Sequence, residues 1–326
     1  MFRSRTRAIP INRLLLGAPA PMTPAQLARR ADDVALPSSM PASWPELAQL
    51  GASLELSADA WRSDAVVATR VWRSDCYMVT RGHKIVADAF AADEREIDVK
   101  VERGTSKTPL QSLLLEMGWL DGQYALYQPI DSRDVADWPI VRGCTDRLQM
   151  MRNVLADLEP HGGGTFLDVA SSYGWFVAKM TEHGLDGRGI ERDRQAPLLG
   201  RAVYGLDPSR IMIGDCVTLL EEAPTYDVVS CLSLLHHFVS GRESCSAEQL
   251  MTLLSRVTRR VLFVDTGEGH EKWLRRRIPG WTPEYVETWL TRHGDFDRVV
   301  PLGIDHDDKG RFAGNYGRTL FACIRD

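Results

Sequence analysis

The sequence predicts an α/β protein: a doubly wound seven-stranded sheet whose last strand is antiparallel, preceded by a smaller N-terminal α+β domain. Three observations carry this. From residue 165 onward, short apolar runs alternate with helix-period segments, the pattern of a parallel sheet covered on both faces. The last two strand-like runs, 298–303 and 319–324, follow each other with no helix between, so that pair must be antiparallel. Before residue 165 the texture differs, and Glu159-Pro160-His161-Gly162-Gly163-Gly164 marks the border.

Residues 1–45 are rich in proline, alanine and arginine and read as a basic arm. Arg3, Arg5, Arg7, Arg13, Arg29 and Arg30 all precede the first acid, Asp32. Thr23 and Pro24 predict the cap and first turn of a short helix over 24–33. Residues 46–143 read as a cap or substrate domain. Within it 66–72 and 76–80 are β-branched and aromatic, hence strands. Residues 108–117 read as a short helix, 124–130 as an extended piece and 131–142 as a loop. Trp119, Tyr124, Tyr127, Gln128 and Arg147 precede the first strand of the larger sheet. They form either a lid over its cleft or core of the first domain.

Residues 144–326 hold the sheet. A helix over 145–158 places Leu148, Met151, Leu155 and Leu158 on one face. Strands follow at 165–170, 187–192, 210–214, 226–234 and 260–265. Helices fall at 174–183, 196–203, 217–222, 247–258 and 283–292, the last with Thr282 as its cap. In such a sheet ligands bind beyond the carboxyl ends of the strands, at the switch point beside the first strand.

Composition narrows the function. The net charge is −5, which argues against a dedicated nucleic-acid binder. The six cysteines are scattered and form no CxxC pair, so neither a zinc site nor a disulfide framework is indicated. No apolar run reaches the length of a membrane span, although the basic arm leaves room for membrane-surface contact. The simplest reading is a cytoplasmic protein with reduced thiols.

The chemistry concentrates at the predicted strand ends. The first strand runs into Asp168-Val169-Ala170-Ser171-Ser172-Tyr173-Gly174, an acid followed by a loop of mostly small residues opening a helix. Such a loop lets backbone approach a ligand closely and aims helix N-terminal amides at it. The second strand ends in Glu191-Arg192-Asp193, with Glu191 lying 23 residues after Asp168, near the spacing at which an acid meets a ribose. The third ends in Gly214-Asp215-Cys216, and the fourth runs from Tyr226 through Leu232 to His236-His237. A nicotinamide-binding domain would show G-x-G-x-x-G after the first strand, and only Gly174 fits that frame.

In these four features, in this order, residues 147–326 resemble the class I S-adenosylmethionine-dependent methyltransferases. Ala170 and Ser172 stand where that family usually has glycine. The resemblance implies that Asp168, Ala170, Ser172, Tyr173 and Gly174 form the cofactor loop and that Glu191, beside Arg192, meets the ribose. It implies that Asp215 and Cys216 meet the adenine and that Leu232 is a further cofactor-binding residue. S-adenosyl-L-methionine is then the cofactor, with no metal, although Asp265, Glu268, His270 and Glu271 are a conceivable divalent set without ligand spacing. His236, His237 and His270 lie just past the fourth and fifth strands and are candidates for a general base. Arg311, Asn315, Tyr316 and Arg318 in the last hairpin are candidates for contact with an anionic substrate. The implied activity is O-methylation of a small molecule, sugar or lipid-linked glycan. The alternatives are an RNA or protein methyltransferase using the basic arm, and a catalytically silent module in which the altered glycines mark lost chemistry.

Overall fold

In the computed structural model, which describes residues 5–16, 63–117, 124–158 and 163–326, the chain divides into two compact units. The first is Met1–Tyr124 with Ile130–Pro139; the second is Ala125–Pro129 with Ile140–Asp326. The predicted helix over 24–33 and Trp119 lie outside the described residues.

The first unit is built on a five-stranded mixed sheet of β1 (Arg5–Pro10), β2 (Leu14–Leu15), β3 (Val66–Val71), β4 (Tyr77–Arg81) and β5 (Glu96–Ser106). Their spatial order is β1-β5-β3-β4-β2. In β5 the alternation is direct: Ile97 and Val99 are buried, while Glu96, Asp98 and Lys100 face water. Helix α1 (His83–Ala91) adds Val86 and Ala89 to a core with Ile9, Leu14, Val66 and Val99. Helix α2 (Pro109–Glu116) starts at a capping box of Thr108 and Gln111, as the short predicted helix required. The start of the chain departs from the arm reading. Arg5–Pro10 pairs antiparallel with β5, and Leu14–Leu15 pairs with β4. The arginines set the composition there, but buried Ile9, Ile11, Leu14 and Leu15 set the structure.

The second unit is the predicted seven-stranded sheet. Its strands are β6 (Thr165–Val169), β7 (Asp186–Glu191), β8 (Ile211–Ile213), β9 (Tyr226–Leu232), β10 (Thr258–Asp265), β11 (Arg298–Ile304) and β12 (Thr319–Ile324). They lie in the order β11-β12-β10-β9-β6-β7-β8. All neighbours are parallel except β12, which runs against both β10 and β11. The central strands are apolar at successive positions because both faces are covered. Phe166, Val228 and Phe263 pack with α3 (Thr145–Leu158) and α4 (Trp175–Glu182) on one face. Leu167, Val229 and Leu262 pack with α8 (Ala247–Val257) and α9 (Pro283–His293) on the other.

The remaining helices, α5 (Ala196–Tyr204), α6 (Cys216–Glu222) and α7 (Leu235–Val239), follow β7, β8 and β9. The fourth strand therefore stops at Leu232, two residues short of the sequence reading, and both histidines after it are helical.

Candidate functional site

The order β9-β6-β7-β8 sets the carboxyl ends of four parallel strands side by side. Leu232, Asp168, Glu191 and Asp215 stand at or just past those ends, so the predicted cofactor residues share one rim. A separate cavity of about 220 Å³ lies at the opposite end of the strands, between Leu155, Leu185, Asp227 and Val261, away from every candidate residue.

The loop leaving β6 turns left-handed three times, with φ of +62° at Ala170, +52° at Ser172 and +87° at Gly174. Left-handed backbone costs a residue with a Cβ about 1–2 kcal/mol. The loop thus adopts a glycine-like path with glycine at only one of the three places. At Gly174 a Cβ would lie 2.8 Å from Leu206 Cδ1 and 3.0 Å from Ile211 Cδ1, so a larger residue would both move these side chains and strain the left-handed backbone.

Ala125–Pro129 holds this loop in place. The Tyr173 hydroxyl donates to the Gln128 carbonyl at 2.7 Å and accepts from the Gln128 N–H at 2.8 Å. The Gln128 side chain donates to Ser171 O at 3.3 Å and accepts from the Trp175 N–H at 3.1 Å. Tyr204 stacks on Tyr173 and donates to Pro129 O at 2.7 Å. Gly189 makes room beside the loop, since a Cβ there would meet Ser171 Oγ at 2.4 Å. Ser172 is buried and its hydroxyl has no protein partner.

Asp168 is 2% exposed. Its Oδ1 accepts from Ser230 Oγ at 2.6 Å, across the register pair of β6 and β9. Burial pushes its carboxyl up to about 7, against the lowering effect of Ser230; the nearby Glu191 charge raises it further. Glu191 is half-buried. It accepts from the amides of Ser172 (2.8 Å), Arg192 (2.8 Å) and Asp193 (3.1 Å). Burial raises its carboxyl too, although those three amides favour the charged form.

Asp215 caps α6, accepting from Val217 and Thr218 amides at 3.0 and 3.1 Å through Oδ1. Cys216 opens that helix, and burial pushes its thiol up to about 12. Arg192 is exposed, 3.9 Å from Glu243.

The three histidines differ in what their ring nitrogens do. His236 is buried, and its Nδ1 accepts from the Gly267 N–H at 3.0 Å. Burial holds it well below the ordinary histidine range, so it is neutral and carries its proton on Nε2. His270 is tied at both nitrogens, with Nε2 at 2.7 Å from Tyr316 O and Nδ1 at 3.3 Å from Glu268. His237 is half-buried, and no described protein group takes either of its ring nitrogens. Burial, with help from Arg192 and Arg318, lowers it as well. Its ring lies 4.4 Å from that of His236.

Beside these histidines is a buried charge cluster that the sequence reading did not assemble. Asp265, the last residue of β10, accepts from Arg142 (3.0 Å) and Arg147 (2.9 Å) through Oδ2. Its Oδ1 accepts from the Ser233 N–H at 2.7 Å, where Ser233 has φ of +58°. Arg142 also meets Asp305 at 3.0 Å, and Arg318 holds Glu271 through two bonds of 2.8 and 3.0 Å. The Tyr316 ring sits between the guanidiniums of Arg142 and Arg318, at 4.7 and 4.9 Å. Burial by itself would raise the Asp265 carboxyl; the three guanidiniums overrule it and hold it far below the usual range. Among the described residues no group of three or more His, Cys, Asp or Glu is placed to hold a metal ion. No described helix is long and apolar enough to cross a membrane.

No family model matches the chain, and no curated protein matches it. Solved structures do. A high-resolution crystal structure of WbdD aligns with a TM-score of 0.51 and 18% identity, over 66% of this chain and 46% of that one. A second structure of WbdD, described as a bifunctional kinase-methyltransferase, aligns with a TM-score of 0.50 at 18% identity over the same shares. The chain thus spans less than half the length of WbdD. Magnesium protoporphyrin IX methyltransferase (ChlM) from Synechocystis PCC 6803, with bound SAM, aligns with a TM-score of 0.39 and 17% identity, over 55% of this chain and 80% of that one. At 18% identity the likeness to WbdD is one of fold.

Proposed function

We propose that the second unit binds S-adenosyl-L-methionine and that the protein transfers its methyl group to a hydroxyl of a small molecule, sugar or lipid-linked glycan. The observation that carries this is the loop after β6. It keeps left-handed backbone at Ala170, Ser172 and Gly174 even though two of these residues bear a Cβ. A fold that tolerates strain at Ala170 and again at Ser172 does so where the path of the backbone matters.

The residues around the loop suit the cofactor. Asp168 has one oxygen bonded to Ser230 and none of its bonds goes to a cation, so it can pair with the cofactor's amino group. The orphaned Ser172 hydroxyl offers a polar contact on the same loop. Glu191 uses three of its roughly four lone-pair positions on backbone amides, which fixes its orientation and leaves it able to accept from a ribose hydroxyl. Asp215 and Cys216, at the start of α6, would meet the adenine.

When bound, the cofactor supplies an electrophilic methyl group. The protein then has to orient the acceptor and remove its proton. His237 suits the second task. It is neutral at pH 7 and has free nitrogens, whereas the acceptor nitrogen of His236 is occupied and both nitrogens of His270 are engaged. His236 serves as a support for its neighbour.

Calorimetry with S-adenosylhomocysteine tests the cofactor site. Asp168→Ala should weaken binding by about tenfold or more, the worth of a charge-assisted bond. Equal affinity in the variant would refute the assignment. With an acceptor found by screening hydroxyl compounds, His237→Ala should lower kcat by about 10²–10⁴-fold and leave S-adenosylhomocysteine affinity unchanged. An unaltered kcat would remove His237 from the chemistry.

A further inference from the structure

Past the end of β10 the chain makes a helical turn over residues 271–278. The Arg275 N–H donates to Glu271 O at 2.8 Å, and the Ile278 N–H to Leu274 O at 3.0 Å. Glu271, Leu274 and Ile278 are buried, while Lys272, Trp273, Arg275, Arg276 and Arg277 are exposed. Four cations thus fall within six residues of a chain whose net charge is −5.

Some surface arginines of this chain meet carboxylates, as Arg298 meets Asp326 at 2.8 Å, Arg210 meets Asp186 at 2.7 Å and Arg259 meets Asp227 at 3.2 Å; what sets this turn apart is that four cations without an acidic partner crowd one short stretch. Among the described residues Arg275, Arg276 and Arg277 meet none. The Lys272 ammonium donates to the Ala313 carbonyl at 2.7 Å and likewise has no acid. Clustered like charges repel one another, and here no acid relieves them.

The turn also has a direction. The Trp273 ring lies 5.3 Å from that of His236 and 6.5 Å from that of His237. The turn that bears the unpaired guanidiniums is thus joined, through Trp273, to the rim that holds the candidate base.

We propose that this turn is an anion subsite, taking phosphoryl groups carried by the methyl acceptor on the side away from its reacting hydroxyl. This rests on the methyltransferase reading above. Guanidinium forks match phosphoryl oxygens two at a time, and several adjacent arginines match a group with more than one charge, such as a diphosphate. A bilayer surface is a poorer partner, because Trp273 turns its ring to the histidines and bonds Glu271 through Nε1 at 2.9 Å rather than standing free to insert. A nucleic acid is poorer too, because the cations occupy one turn of an acidic chain and form no extended track.

The test is titration of the full chain with inorganic pyrophosphate, followed by calorimetry, on wild type and on Arg275→Gln/Arg276→Gln/Arg277→Gln. Wild type should bind saturably and the triple variant about tenfold or more weakly. Arg→Lys at the same three positions should recover part of the affinity, and wild-type binding should weaken as salt is raised. S-adenosylhomocysteine affinity, measured on the same samples, should be equal in all of them. Equal pyrophosphate affinity in wild type and the Gln variant would overturn the subsite and leave the cofactor reading standing. Absence of S-adenosylhomocysteine binding by wild type would overturn that reading, and with it the acceptor role of the turn. Arginine-dependent sedimentation with phosphatidylglycerol vesicles, or arginine-dependent binding of a single-stranded RNA, without pyrophosphate binding would also overturn the proposal.

Discussion

Asp168 shows how one residue links the fold to the proposed chemistry. Its carboxyl is pushed up to about 7 by burial, well above the usual carboxylate range. A raised acid favours the folded state fully below its unfolded value near 4 and loses that contribution as pH rises through about 7. A cationic ligand group reverses the preference, because it pairs with the ionised form. S-adenosylhomocysteine affinity should therefore fall about tenfold per pH unit below about 7, as protonated Asp168 must first lose its proton. The profile should flatten in Asp168→Asn, which calorimetry across pH would detect; a profile unchanged in the variant would place the titrating group elsewhere. The acid itself was legible in the sequence as the end of an apolar run. Its titration was not, because that depends on its burial in the assembled sheet, opposed by Ser230, 62 residues away and opposite it in the sheet.

At the scale of elements, the end of β10 is joined to the start of α3 and to the loop between β11 and β12. Asp265 receives Arg142 and Arg147, and Arg142 reaches Asp305. These groups are almost fully buried, so each charge depends on its partners for the solvation it has lost. Removing one charge leaves the others uncompensated. Asp265→Asn should destabilise the protein by about 3–5 kcal/mol, read from urea denaturation. A loss below about 1 kcal/mol would show that the arginines reach water or other acids. The sequence placed nearly every strand and helix of this unit, because strands covered on both faces read as unbroken apolar runs and helices repeat with their own period. Helix α7 was missed since Leu232-Ser233-Leu234-Leu235 reads as a continuation of the apolar strand, and the break at Ser233 comes from its bonds to Asp265. Gln128 and Arg147 were noticed only as neighbours of the first strand. Their roles, fastening a loop and pairing with Asp265, require partners 43 to 118 residues away.

At the scale of the whole molecule, two units each have their own core. In the first, β1 and β2 bring Ile9, Ile11, Leu14 and Leu15 into the interior. Leu14→Ala should therefore cost about 2–5 kcal/mol, the usual price of emptying a buried leucine site. Unchanged stability in urea would restore the reading of this segment as an unattached arm. Composition favoured the arm because arginine and proline dominate it. The four apolar side chains among them are too few to give a periodic signal, yet they decide the outcome once a sheet edge is available to pair with.

The sequence by itself determined the α/β class, the seven strands with the last one reversed, and the strand ends where Asp168, Glu191 and Asp215 stand. These follow from local periodicity and from the rule that a helix-free connection pairs strands antiparallel. Only the tertiary structure decided how a loop poor in glycine keeps a glycine-like path, which histidine keeps its nitrogens free, and where three buried arginines find their acids. Those outcomes depend on contacts between residues far apart in the chain, and no local pattern encodes such distances.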